Sequence, residues 1–260
     1  MLLLEKKGGV ARLTLNRPEV RNAFDDALVA ELTRAFRNLD ADATVRAVVL
    51  AANGPAFSAG ADLNWMKRMA GYRHEQNLAD ARALAAMLNA LDHLSKPTIA
   101  RVHGPAFAGA IGLVAACDIA VGTPEAKFCF SEAKLGLSPA TISPYAMRAI
   151  GERAARRYFL TAEVFGAEEA LRLGLLSALV PAAEIDATID ALVAHLLAGG
   201  PVAQARIKEL VRAVAARPLD AALIADTAKR IAEIRASPEA KEGISAFLEK
   251  RKPPWIPPKE

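Results

Sequence analysis

Twice along this chain a short apolar run gives way to a loop of small residues and then to a stretch with helical spacing. Val45–Ala51 (VRAVVLA) leads through Asn53-Gly54-Pro55 and the Gly/Ala-rich FSAGAD at 57–62 into a Met-rich helical stretch. Thr98–Val102 leads through GPAFAGAIG at 104–112 into an apolar helix ending near Cys117. Runs of this length without polar alternation fit strands covered on both faces, the usual condition of parallel strands. Other segments join the scheme. Val10–Asn16 (VARLTLN) alternates as a half-buried strand, Asp25–Leu39 and Asn77–Leu94 carry helical spacing, and Lys96-Pro97 breaks the second helix. Two more short strands are predicted at Asp118–Val121 and Lys127–Phe130, and from Pro144 onward the pattern is mainly helical. No strand pattern occurs over Ala203–Lys250. The prediction is an α/β core of strand–loop–helix units over 1–200, a helical C-terminal region over 201–260 with Pro201 at the boundary, and no sequence repeat.

Composition narrows the function classes. With 53% hydrophobic but only 5% aromatic residues, the core is built from Ala, Leu, Val and Ile, and disorder is excluded. The 33 Lys and Arg are interleaved with 29 Asp and Glu, giving +4, whereas nucleic-acid binders concentrate charge on one face or arm. So modest an excess suits a phosphorylated small molecule, and no nucleic-acid partner is expected. Cys117 and Cys129 lie in apolar surroundings and read as buried free thiols of a reducing compartment. Neither they nor the four His show metal-ligand spacing, so no metal is expected. The N-terminus lacks the features of a targeting segment, and no apolar stretch approaches about 18 residues, so a cytoplasmic protein without a membrane span is expected.

The two small-residue loops carry the chemistry. Each joins a buried strand to a helix start, where the first N–H groups lack intrahelical partners and the helix dipole is positive. At the ends of neighbouring strands, two such loops can aim one N–H each at a single point. That makes a two-donor oxyanion hole for charge appearing on a carbonyl oxygen, worth about 2.7–4 kcal/mol per donor.

At these residues the chain resembles the enoyl-CoA hydratase/isomerase (crotonase) superfamily over essentially its full length. The matching motifs are Asn16-Arg17-Pro18 with Arg21-Asn22-Ala23, FSAGAD at 57–62, HGPAFAGAIGL at 103–113 with Cys117-Asp118, FSEAKLGL at 130–137 and AFLEKRKPP at 246–254. The resemblance implies a spiral of ββα turns with a C-terminal helical region for trimer formation, as a trimer or dimer of trimers. It implies an acyl-CoA substrate, with no cofactor beyond that CoA, and an oxyanion hole formed by the N–H groups of Ala61 and Gly109. Carried over to this sequence, Arg21, Ala23, Ala59, Ala61, Asp62 and Leu63 contact CoA, and Phe247 and Lys250 reach its adenine end from a neighbouring subunit. Asp62, just before a helix, reads first as an N-cap. His103 reads as a structural hydrogen-bonder and Asp118 as a brace.

Family hydratases use two glutamates, one of them a helical turn beyond the oxyanion glycine. Here that position is Gly112, while the second glutamate is present as Glu132 in Phe130-Ser131-Glu132. The apolar neighbours of Glu132 should desolvate it and raise its pKa toward neutrality, which suits proton transfer. Three accounts of the missing carboxylate stand. Glu132 shuttles one proton, as in family isomerases; or Glu132 alone serves hydration; or the acyl group fills the space beside Gly112, where its own carboxylate helps hold the water. Ser138, Ser143 and Tyr145 are expected to line the acyl pocket.

The segments 59–70 and 130–165 look like the methylglutaconyl-CoA hydratase branch and the related carboxygeranoyl-CoA hydratases. The expected reaction is therefore hydration of a branched, carboxylated 2-enoyl-CoA, with methylglutaconyl-CoA as substrate. The alternatives are isomerisation or general enoyl-CoA hydration, and, in a different class, a non-catalytic CoA- or RNA-binding scaffold.

Overall fold

A computed structural model describes residues 1–256; positions 257–260 of the predicted C-terminal region lie outside the described residues. The chain opens with a hairpin, β1 (Leu2–Lys7) and β2 (Val10–Leu15), turned by Gly8-Gly9 with both φ values positive (+56° and +83°). Paired positive-φ residues give the turn whose twist matches a two-residue hairpin. Beyond α1 (Asp26–Ala41) comes β3 (Ala47–Ala52), and beyond α2 (Leu63–Met69) and α3 (His74–Asp92) comes β4 (Thr98–Val102). The two-residue β5 (Ala106–Phe107) precedes α4 (Gly109–Ala116), and β6 (Ile119–Gly122) and β7 (Lys127–Cys129) precede α5 (Ser143–Thr161), which is interrupted at Gly151. The core closes with β8 (Phe165–Gly166), α6 (Ala167–Leu173), β9 (Ala178–Leu179) and α7 (Ile185–Ala198).

Among the described residues the main sheet runs β1-β2-β3-β4-β6-β9, parallel except for the opening hairpin. A smaller sheet, β5-β7-β8, lies apart from it, and single bridges Ser58↔Ala106 and Phe24↔Ala61 prolong the layer it starts. Each turn of chain thus places a strand in the main sheet, then a short strand or bridge in the second layer, then a helix. This is the ββα spiral that the resemblance implied. β3 is buried along its whole length, as predicted: Val48 and Leu50 enter the large core with α1, α3 and α4, while Val49 meets Ile99, Val121, Ile185 and Ile189 beneath α7.

The sequence reading missed β1, β5, β8 and β9. β1 is a mostly exposed edge strand without alternation, and the other three are two residues each, too short to show a period.

The C-terminal region is helical, with α8 (Pro201–Val214), α9 (Ala221–Arg235) and α10 (Pro238–Leu248). Buried Lys208 of α8 donates to Asp118 at 2.6 Å, and Asp118 also accepts the N–H and hydroxyl of Thr98, the brace anticipated for it. Trp255 Nε1 donates to Ala198 O, and Arg46 donates to Trp255 O, so the tail returns to the core.

Candidate active site

The two small-residue loops are laced together. Ser58 N–H donates to Pro105 O at 3.1 Å, Phe107 N–H returns a bond to Ser58 O at 3.0 Å, and His103 Nε2 lies 2.8 Å from Gly54 O. Gly104 lies so close to the first loop that a Cβ there would stand 2.8 Å from Pro55 O. The loops also share a sequence, Gly-Pro-Ala-Phe at 54–57 and at 104–107, which corrects the reading that no repeat exists. That echo, followed in each loop by an Ala/Gly run, is the signal by which the pairing was legible.

Backbone hydrogen bonding leaves a donor open in each loop, at the two positions the resemblance named. In the first loop the N–H groups of Ser58, Ala59, Gly60 and Asp62 are engaged, by Pro105 O, Arg21 O, Ser58 Oγ and Phe24 O. Among the described residues that of Ala61 has no partner. In the second loop Phe107 and Ala108 donate to Ser58 O and Cys129 O, and the N–H of Gly109, first residue of α4, has none. Half-buried backbone donors are ordinarily paired, so open ones on interlocked loops are free to take an acceptor from outside the chain. Ala108, between them in the fold, has φ +48° and ψ −120°, a conformation that costs a non-glycine residue about 1–3 kcal/mol and collects at functional sites.

The first loop is held from beneath. Arg17 Nη1 donates to Ala23 O (2.9 Å) and Asp25 (2.8 Å), and Nη2 lies 3.6 Å from Asp62. Asp62 caps α2 by accepting from Asn64 N–H and Trp65 N–H, as expected. Asp62→Ala should cost about 1 kcal/mol of stability, read as a lowered denaturation midpoint that Asp62→Asn largely restores. Asn22, fully buried, accepts from Arg17 N–H and donates to Asn53 O and Ala56 O. Sequence reasoning gave Arg17 and Asn22 no mechanical role. Of the CoA-contact candidates, Arg21, Ala59 and Leu63 are exposed, whereas Ala23 and Asp62 are buried supports of the loop.

Glu132 stands in a short turn, Ser131–Leu135, directly after β7. β7 pairs in parallel with β5 (Ala106↔Phe128, Phe107↔Cys129), so the chain beyond each runs side by side toward Glu132 and Gly109. Phe130 anchors the turn, its ring 4.6 Å from that of Phe159. One carboxylate oxygen of Glu132, Oε2, is buried without a hydrogen-bond partner among the described residues. Desolvation pushes its pKa up, against a small opposing pull from its own backbone N–H.

Gly112 is buried and lines no open space. A Cβ on it would meet Ile142 Cγ2 at 2.6 Å and Leu88 Cδ2 at 3.3 Å, and Ile142 is itself buried. The pocket expected beside Gly112, and with it the acyl group filling that space, is therefore corrected: two aliphatic side chains occupy the place. Of the other pocket candidates, Tyr145 and Ser143 are half-buried and Ser138 is exposed. Phe247 and Lys250 are exposed at the end of α10, which packs on α8 and α9. A cavity of about 620 Å³ lies at the far end of α4, lined by Cys117, Asp118, Arg148 and Lys208 among others. Four of its charged groups are ion-paired, Lys208 with Asp118 and Arg148 with Asp92, and burial pushes the Cys117 thiol up to about 12, leaving it unreactive.

Comparison with known proteins agrees with this fold. The chain is 31% identical over 257 residues to a short-chain-enoyl-CoA hydratase of Clostridium acetobutylicum, covering 96% of this chain and 95% of that protein. The crystal structure of an enoyl-CoA hydratase from Shewanella pealeana superposes with a TM-score of 0.96 at 44% identity, covering 98% of this chain and 95% of that one. An enoyl-CoA hydratase from Mycobacterium smegmatis superposes with a TM-score of 0.91 at 38% identity, covering 98% of each. Residues 5–257 match the model of the enoyl-CoA hydratase/isomerase family, and the chain belongs to that family.

Proposed function

We propose that this enoyl-CoA hydratase-type enzyme adds water across the 2,3 double bond of a branched, carboxylated 2-enoyl-CoA, methylglutaconyl-CoA first among them, with Glu132 as its only acid–base group. The observation that carries the reading is the unpaired N–H of Ala61 and that of Gly109 on two interlocked loops, together with a desolvated carboxylate on the adjoining turn. In this mechanism the thioester oxygen accepts from Ala61 N–H and Gly109 N–H, which stabilise the enolate. Glu132, ionised, takes a proton from water as its oxygen bonds to C3, and then returns that proton to C2. Arg21, Ala59 and Leu63, exposed on the rim of the first loop, meet the CoA. The apolar side chains left exposed on the C-terminal helices, Ile207, Val211, Ile224, Ile231 and Ile244, support self-association as a trimer or dimer of trimers.

A panel of enoyl-CoA thioesters tests the reaction and substrate class together. With methylglutaconyl-CoA the expected result is loss of the conjugated-thioester absorbance and a mass gain of one water. Equal turnover of an uncharged enoyl-CoA of the same length would overturn the carboxylated specificity. Isomerisation is the second reading, favoured by the aliphatic filling beside Gly112. It predicts that a 3-enoyl-CoA acquires conjugated absorbance with no gain in mass.

A further inference from the structure

Phe24 touches both loops at once. Its backbone forms the bridge that brackets Ala61, with Phe24 N–H donating to Gly60 O and Phe24 O accepting from Asp62 N–H, each at 2.7 Å. Its side chain reaches the other loop: ring atoms Cδ2 and Cε2 each lie 3.2 Å from the point where a Cβ on Gly109 would stand. The ring is fully buried, so its position is set by packing. The segment that carries it is also held, since Arg17 binds Ala23 O on one side and Asp25, the cap of α1, on the other. A rigid path of one residue therefore connects the backbone at Ala61 to the backbone at Gly109.

We propose that Phe24 is a positioning residue that sets the separation and direction of the two N–H donors. The inference rests on the reading of Ala61 and Gly109 as the oxyanion hole. The ring acts as a spacer: a smaller side chain lets the start of α4 settle toward the first loop, and an added Cβ at Gly109 pushes it away. Either change moves a donor off the thioester oxygen, and displacement on the order of 1 Å costs about a hundredfold in rate.

The test compares Phe24→Leu, Gly109→Ala and their combination with the unaltered enzyme. The readouts are kcat, KM, and the infrared carbonyl stretch of bound butyryl-CoA labelled with heavy carbon at the thioester. In the unaltered enzyme the bound carbonyl stretch moves to lower frequency. Each single variant should lose about tenfold or more in kcat, with KM within about twofold, and part of that shift. The double variant should recover both, because the added methyl refills the space the ring leaves. Phe36→Leu, a buried substitution about three turns along α1 from its Asp25 cap, controls for stability loss and should leave kcat and the stretch unchanged. If the unaltered enzyme shows no shift of the bound carbonyl, the oxyanion-hole reading fails. If it does, and Phe24→Leu keeps both the shift and kcat, the spacer role is overturned. Should Phe24→Leu not fold, Phe24→Met replaces it in the same cycle, and additive losses in Phe24→Met and Gly109→Ala overturn the proposal equally.

Discussion

Glu132→Gln should lower kcat for hydration by about a hundred- to ten-thousand-fold, the usual contribution of a positioned acid–base group, with little change in KM. The amide keeps the shape of the side chain and leaves the donors on Ala61 and Gly109 untouched, so binding survives while proton transfer does not. Steady-state kinetics on the hydrated substrate measure both constants. Wild-type kcat at Glu132→Gln would remove this residue from the mechanism. The pH profile adds an independent check. Hydration starts from the carboxylate, and burial raises the Glu132 pKa, so the rate should fall with decreasing pH at a point above the usual carboxylate range.

The same burial fixes the sign of a stability effect. Because the folded-state pKa lies above the unfolded value, folding favours the neutral acid. That contribution is in place below the unfolded pKa and is lost as pH rises through the folded one. The unpartnered Oε2 is then a buried anionic oxygen with nothing to pair it. At neutral pH Glu132→Gln should therefore unfold at a higher Tm than the unaltered enzyme, with the gap closing as the pH falls below the unfolded value. Calorimetry across that range reads it. A lower Tm for the variant at neutral pH would show that the carboxylate is satisfied in a way that the described bonds do not contain.

Much of this site was legible in the chain. The run 45–51 announced a doubly covered strand because it is apolar apart from Arg46, and FSAGAD and GPAFAGA announced small-residue loops opening onto helices. Glu132 stood out as a carboxylate flanked by apolar residues. What stayed hidden depends on contacts between segments far apart in the chain. Nothing local marks Arg17 as the group that joins Ala23, Asp25 and Asp62, or Phe24 as a residue that meets Gly109. Gly112 showed the opposite failure. A glycine in place of a glutamate reads as vacated space, but volume in a close-packed interior is taken up by a neighbour, here Ile142 from the start of α5.

That filled space makes the second large effect a coupled one. Gly112→Glu alone places a Cβ 2.6 Å from Ile142 Cγ2 and 3.1 Å from Ile142 Cβ, the branch point of a stiff side chain that cannot swing clear. Overpacking of this kind costs about 1–3 kcal/mol, and the new carboxylate would also be buried in aliphatic surroundings. Ile142→Ala alone leaves a cavity beside Gly112 at about 2–5 kcal/mol. The pair together should cost less than the sum by about 0.5–3 kcal/mol, since each change relieves the fault of the other; denaturant midpoints of the four proteins measure it. The double variant also carries two carboxylates at the reacting carbons. It should hydrate an uncharged, unbranched enoyl-CoA about tenfold or more faster than the unaltered enzyme, part of the hundredfold that one added acid–base group can give. Additive stability losses would mean that Ile142 does not close this space. Recovered stability without faster hydration would mean that Glu132 alone already carries both proton transfers at full rate, and that Ile142 guards the shape of the acyl site rather than its chemistry.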